Sequence, residues 1–206
     1  MVTNKFIKKM KLELAKELPS NKAHQRMMPP NRALTSVTTT TRSSSVLILF
    51  YPKEDTLYTV FIKRQEYNGV HSGQISFPGG KYEKEDINLI NTALREANEE
   101  IGINISSVEI LGKLSELFIP PSNLLVLPVV AYTPIAPLFI PDKKEVNKII
   151  EVSLIELLSP ESVSVNEFVL FGNNKIIAPC YNFNNHKIWG ASAMIVSELY
   201  DVLKNI

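Results

Sequence analysis

A mixed β-sheet with a helix packed on it, α/β or α+β in class, is the fold that these 206 residues predict. Three observations carry the prediction. Apolar runs of strand length recur at Val46–Tyr51, Leu57–Ile62, Val108–Leu117 and Leu124–Tyr132. Between the second and third runs lies a helical pattern, Leu89–Ile101, with Ile90, Ala93, Leu94, Ala97 and Ile101 in one stripe at about 100° per residue. The chain then ends in a second such pattern, Ala191–Ile206, with Ala193, Met194, Val196, Leu199, Val202 and Leu203 as packing positions.

In chain order, Lys5–Leu18 is amphipathic and reads as a helix of the domain, since its acids argue against a transit peptide. The polar stretch from Pro19 to Ser45, broken by Pro29-Pro30, reads as a loop wrapping the surface; it contains Arg26, Arg32 and Arg42. Residues 1–45 are therefore expected to belong to the same domain as 46–206. The first two strands are parted by a turn at Pro52-Lys53-Glu54-Asp55, and the next two by Pro120-Pro121-Ser122-Asn123. Val146–Val152 reads as a strand and Leu154–Leu158 as a short helix. Val163–Phe171 and Lys175–Tyr181 read as a hairpin around Gly172-Asn173-Asn174, and Trp189 as a core residue at the entrance of the last helix.

Composition narrows the function classes. A formal charge of +1 offers no basic surplus to a nucleic acid. The single cysteine, Cys180, excludes an intrachain disulfide and a cysteine-built zinc site, and reads as a small buried residue. Leu124–Pro141 runs eighteen residues without a charge, but four prolines within it rule out a spanning helix. With no secretory signal at Met1, a soluble cytoplasmic protein is expected, with no membrane partner; a homodimer stays open.

The chemistry is concentrated in the Leu89–Ile101 helix. Asp86 is its expected N-cap and Gly102 its C′ residue. Glu96, Glu99 and Glu100 stand at i, i+3 and i+4, so their carboxylates gather on one flank. Carboxylates in a last helical turn oppose the helix dipole at about 0.3–1 kcal/mol each. No Lys or Arg follows any of them at i+3 or i+4, and Arg95 reaches Glu99 only in the weaker order. A divalent cation would neutralise such a cluster, and Mg²⁺ takes hard oxygen ligands of this kind. Upstream, Pro78-Gly79-Gly80 opens a loop into the helix, where paired glycines allow close approach of backbone to a ligand.

Gly80 followed by Arg95-Glu96-Ala97-Asn98-Glu99-Glu100-Ile101-Gly102-Ile103 resembles the Nudix box, a glycine and then R-E-U-x-E-E-x-G-U with U aliphatic. Asp86 stands where the family has its first glutamate, with one extra residue before Arg95. Both features resemble the coenzyme A pyrophosphatase branch. So does the upstream stretch Lys63-Arg64-Gln65 with His71-Ser72-Gly73-Gln74-Ile75-Ser76-Phe77-Pro78-Gly79-Gly80. The branch has an arginine two residues before the histidine, and this chain has Gly69.

The resemblance covers roughly Val46 to Leu158. It implies an α/β/α sandwich, Mg²⁺ or Mn²⁺ at Glu96, Glu99 and Glu100, and hydrolysis of a small diphosphate. The substrate implied is coenzyme A or a derivative, giving 3′,5′-ADP and 4′-phosphopantetheine. Another nucleoside diphosphate derivative (ADP-ribose, NADH or a nucleotide) is the alternative, and a non-hydrolysing Nudix-fold binder a third. Arg95 joins the catalytic set by orienting the box carboxylates. Lys63, Arg64, His71, Gly79 and Gly80 are expected at the substrate, with Arg42 in reserve. The general base is open among Glu116, Glu145 and the helix glutamates.

Overall fold

A computed structural model describes residues 2–30, 32, 36–69, 71–169, 175–183 and 185–206. The main sheet is mixed. β1 (Arg42–Lys53) turns tightly into antiparallel β2 (Thr56–Arg64), and on its other edge runs parallel to β7 (Leu124–Tyr132), in register from Arg42↔Leu124 to Phe50↔Tyr132. β5 (Glu109–Lys113) pairs β7 on the far side, and β8 (Val146–Ser153) flanks β2 and runs into the short helix α4 (Leu154–Leu157). Two short strands, β3 (Ile75–Ser76) and β4 (Gly79–Lys81), pair β2 and β1, and β6 (Leu117–Ile119) pairs the start of β7.

Both faces of β1 are apolar, and each serves a different core. Leu47, Leu49 and Tyr51 face α3 (Leu89–Ile101) through Ala93, Ala97 and Ile101. Ile48 and Phe50 face α1 (Val2–Leu14), α5 (Gly190–Leu203) and a small antiparallel sheet of β9 (Val163–Val169), β10 (Lys175–Phe183) and β11 (His186–Trp189). A central strand covered on both sides reads as a continuous apolar run rather than an alternation. The sandwich has helices on both faces of the sheet, as expected. Each large side chain buried in these cores contributes about 1.5–3 kcal/mol relative to exposure.

The N-terminal segment is pinned by buried polar contacts. In α2 (Ser20–His24), His24 Nε2 lies 3.0 Å from the fully buried Glu198 of α5. Ser115 Oγ donates to the same carboxylate at 2.6 Å and Ser20 N–H at 3.0 Å. Burial alone would raise the Glu198 pKa, but the hydrogen bonds from His24 and Ser115 prevail and hold it below its ordinary value. Arg26 donates to Ser197 and pairs with Asp201, and Arg32 donates to the Phe118 carbonyl and to Met194. These two arginines hold the wrapping segment down instead of facing a ligand.

Several elements differ from the sequence expectation. β1 begins at Arg42, inside the Thr-Ser run read as loop: Ser44 and Ser45 are buried, and their hydroxyls donate to the carbonyls of Gly80 at 2.5 Å and Leu127 at 2.8 Å. Satisfied in that way, a hydroxyl is no bar to a central strand. The N-cap of α3 is Asn88, whose Oδ1 accepts from Ile90 and Asn91 N–H at 3.0 Å; Asp86 lies two residues earlier and pairs with Arg95. The run Val108–Leu117 is split between β5 and β6, because the Ser115 N–H leaves the sheet for Glu198. The first helix ends at Leu14, and β11 was not anticipated. The turn expected at Gly172-Asn173-Asn174 lies outside the described residues. Trp189 is half-buried and stacks on Phe168 at 4.7 Å between ring centres. No helix among the described residues is long and apolar enough to cross a membrane.

Candidate active site

Alanines at positions 93 and 97 let α3 lie close over β1 and β4, which brings its glutamate flank against Gly79-Gly80. Both glycines are required there. Gly79 has φ +154°, and a Cβ on it would overlap the Ser45 carbonyl oxygen. A Cβ on Gly80 would occupy the space of the Glu96 carboxylate.

Glu100 is the buried member of the cluster, 1% exposed. One carboxylate oxygen accepts from the Gly79 N–H at 2.8 Å and the other from Arg64 at 3.2 Å. Burial pushes its pKa up to about 7 against the pull of Arg64 and the Gly79 amide; Glu96 and Glu145 add to the rise. Glu96 is raised too, first by burial, with the charges of Glu99 and Glu145 working in the same direction against Arg95. Glu99 points outward, its side chain 56% exposed, and is held by Arg95 at 2.9 Å.

Arg95 organises this flank. Its Nε donates to Asp86 Oδ1 at 2.7 Å, and its other nitrogens reach Asp86 Oδ2, Glu96, Glu99 and the Lys81 carbonyl. The hydrogen bond from Arg95 holds Asp86 down to about 2, helped by Glu83 N–H and the Thr92 hydroxyl, although burial opposes it. Asp86 thus anchors the arginine that positions the carboxylates. Its place in the box motif signalled such a role; its expected use as a cap did not.

The remaining candidates separate. Glu145 sits close enough for its charge to act on both Glu96 and Glu100. Its loop is tied to the end of β2, where Gln65 N–H donates to the Glu145 carbonyl at 2.9 Å and the Gln65 side chain to the Lys143 carbonyl at 2.7 Å. Glu116 instead lines a cleft of about 720 Å³ with Leu14, Leu18, Asn88, Leu111 and Lys113, at the N-terminal end of α3. From there to Glu100 is about 15 Å at 1.5 Å per residue. His71 Nδ1 lies 3.0 Å from Gln74 Oε1. Lys63 alternates with Ile62 along β2 and faces away from α3, with Glu66 at 3.8 Å. Arg42 donates to the Ser122 carbonyl at 3.4 Å, beyond the Lys81 end of β4. Gly69 lies against the Tyr67 ring and presents no cation.

Among the described residues, no three His, Cys, Asp or Glu side chains converge as a ready metal-binding group. The donor set nevertheless fits a hard divalent cation: Glu96 and Glu100 flank the same glycine pair, all donors are carboxylate oxygens, and the space beside Gly80 is kept free of a Cβ. Glu99 would join them on release from Arg95, and exposed pairs at i,i+4 are worth only about 0.3–0.5 kcal/mol.

The sequence matches the NUDIX domain over residues 41–169. The chain belongs to this family. It is 32% identical over 143 residues to a mouse protein named mitochondrial coenzyme A diphosphatase NUDT8, a match spanning 68% of this chain and 66% of the mouse protein, just under two thirds. It is 34% identical over 184 residues to a Yersinia pestis (strain Pestoides F) protein named uncharacterized Nudix hydrolase NudL, covering 87% and 90% of the two chains. Among solved structures, the Mycobacterium smegmatis Nudix hydrolase RenU aligns with TM-score 0.57 at 15% identity, over 87% of this chain and 94% of that one. A MutT/nudix family protein from Enterococcus faecalis aligns with TM-score 0.51 at 15% identity, over 96% and 73%. These structures establish a shared fold. The expectation of a Nudix-type hydrolase acting on a diphosphate is met; the family works on small nucleoside diphosphate substrates and uses divalent metal ions.

Proposed function

We propose that the protein hydrolyses the diphosphate linkage of coenzyme A or its derivatives, in the cytoplasm, giving 3′,5′-ADP and 4′-phosphopantetheine. One observation carries this reading: the upstream stretch that resembles the coenzyme A pyrophosphatase branch is built into the carboxylate cradle. Arg64 from its beginning and Gly79 from its end both donate to Glu100. The mouse relative's name supports the same substrate.

In the reaction, water adds to one phosphorus, a P–O bond of the diphosphate breaks, and the bridging oxygen leaves on the other phosphate. A divalent cation, Mg²⁺ or Mn²⁺, held by Glu96, Glu100 and the freed Glu99, would neutralise the phosphate oxygens and acidify a bound water. Glu145 would take a proton from the attacking water, a role supported by the reach of its charge to both Glu96 and Glu100. Arg64, partly exposed at the edge of the cradle, would bind the phosphates with its planar, two-pronged donor set. Arg95 and Asp86 would act as positioning residues, since their hydrogen bonds join each other and the box glutamates.

A substrate panel with Mg²⁺ and with Mn²⁺, products identified by mass, tests this reading. Coenzyme A is expected to turn over faster than dephospho-coenzyme A, and both faster than ADP-ribose. Faster turnover of ADP-ribose in direct competition would replace coenzyme A as the substrate.

A further inference from the structure

A second charged cluster lies on the other side of the main sheet. Lys63 and Lys148 are direct cross-strand partners in the antiparallel pair of β2 and β8. Their neighbours two residues along, Phe61 and Ile150, belong to the core on the face away from α3, so both lysines rise at its rim. His186, at the start of β11, closes over them with Nε2 3.2 Å from Lys148 Nζ. The small sheet is seated there by Phe183, whose ring stacks on Phe61 at 6.3 Å.

The arrangement is costly as it stands. Like charges directly opposite each other in a sheet destabilise it. Glu66 lies 3.8 Å from Lys63, but its side chain is 79% exposed and offsets little. Among the described residues, no carboxylate forms an ion pair with Lys148. Burial, then Lys148 and Lys63, lower the His186 pKa, so near neutrality the ring is uncharged and its Nε2 accepts from Lys148. That tautomer carries an N–H on Nδ1. That N–H diverges from the Nε2 lone pair, so the donors gathered here are the two ammonium groups, whose one carboxylate partner among the described residues is the exposed Glu66.

We propose that Lys63 and Lys148, with His186 beside them, form an anion site that takes a phosphate group. Two ammonium groups supply charge-assisted donors to its oxygens, and the bound anion relieves the repulsion between the lysines. Lys63 is followed directly by Arg64, so this cluster and the carboxylate cradle occupy the two sides of the same strand end. If the phosphate is the 3′-phosphate of the substrate, the inference rests on the coenzyme A reading. A free phosphate is the other source of the same chemistry.

The full chain is titrated with inorganic phosphate while the His186 ring signals are followed by NMR, with His186→Gln used to assign them. A saturable shift is expected, with affinity weakened about tenfold or more in Lys148→Met and again in Lys63→Met, as expected for loss of a charge-assisted contact. No saturable shift, or an affinity in both lysine variants equal to the parent's, overturns the site. The second arm measures KM for coenzyme A relative to dephospho-coenzyme A. A tenfold rise in that ratio in Lys148→Met assigns the phosphate to the substrate, whereas an unchanged ratio beside a weakened titration assigns it to a free anion. If the protein turns over no coenzyme A yet still binds phosphate, the proposed function fails and the anion site stands.

Discussion

Arg64 Nη1 lies 3.2 Å from the buried carboxylate of Glu100, and the Gly79 amide meets the other oxygen of that group at 2.8 Å. Neither contact fully offsets desolvation, since the carboxylate still titrates at about 7. An acid that holds a raised pKa despite an arginine is poised for a stronger counter-charge than one guanidinium supplies.

Glu100→Gln should therefore lose activity by more than about 100-fold, beyond the cost of losing an outer-shell partner of a metal. The fold should survive. The variant removes a charge that both burial and the helix dipole disfavour, and Arg64, 27% exposed, can turn to water. Without metal at pH 8 the variant should melt no lower than the parent. Near-normal turnover in a folded variant would remove Glu100 from the metal site.

The same group makes stability depend on pH in a defined direction. Its folded pKa, about 7, lies above its ordinary 4.5, so between these values the native state binds more protons than the unfolded chain. The stabilising contribution is complete below about 4.5 and is lost as pH rises through 7. At 1.36 kcal/mol per pKa unit its upper size is about 3 kcal/mol. Urea unfolding of metal-free protein at pH 5 and pH 8 should show this loss, and saturating Mg²⁺ at pH 8 should restore it. A metal-free protein equally stable at both values, with Glu100→Gln behaving identically, would contradict the burial argument.

Asp86 behaves in the opposite sense. Its pKa is depressed from 3.8 to about 2, so its contribution is present above the unfolded value and lost as pH falls through about 2. Asp86→Asn should cost about 2 kcal/mol at pH 7 and progressively less in acid. It should also lower kcat, because Arg95 loses its anchor while still facing Glu96 and Glu99. A stability difference that persists unchanged to pH 2 would mean that the loss is one of packing rather than of charge.

How far the sequence revealed these features depended on how local they were. The α3 stripe and its three glutamates were legible because helical period sets both within a single element. Asn88 and Asp86, two residues earlier, offer the same capping chemistry in sequence; only the turn at Ile87, φ 64°, separates the two positions. The start of β1 was hidden by serines that reach carbonyls on β4 and β7, partners invisible in a linear reading. β11 has four residues, between Asn185 and Gly190, too short for an alternation to show. Lys148 and His186 carry no signal in the sequence, since their cluster exists only through the register of β8 on β2 and the docking of the small sheet.

Glu145 was indistinguishable from Glu116 in sequence, both being acids near the end of a strand, and the fold separates them. Glu145 acts electrostatically on both Glu96 and Glu100, and two hydrogen bonds from Gln65 fix its loop against the end of β2. Glu116 lines the cleft at the opposite end of α3. A general base contributes about 10²–10⁴-fold to rate. Glu145→Gln should accordingly lower kcat by that order with little change in KM, while Glu116→Gln stays within about threefold of the parent. The two are separated further by pH. A base must be deprotonated to act, so the parent's kcat should fall on the acid side; in Glu145→Gln the residual rate should lose that fall, whereas Glu116→Gln keeps it. The opposite pattern, with Glu116→Gln losing the acid fall, would move the base to the far end of the helix and require the substrate to lie along the cleft.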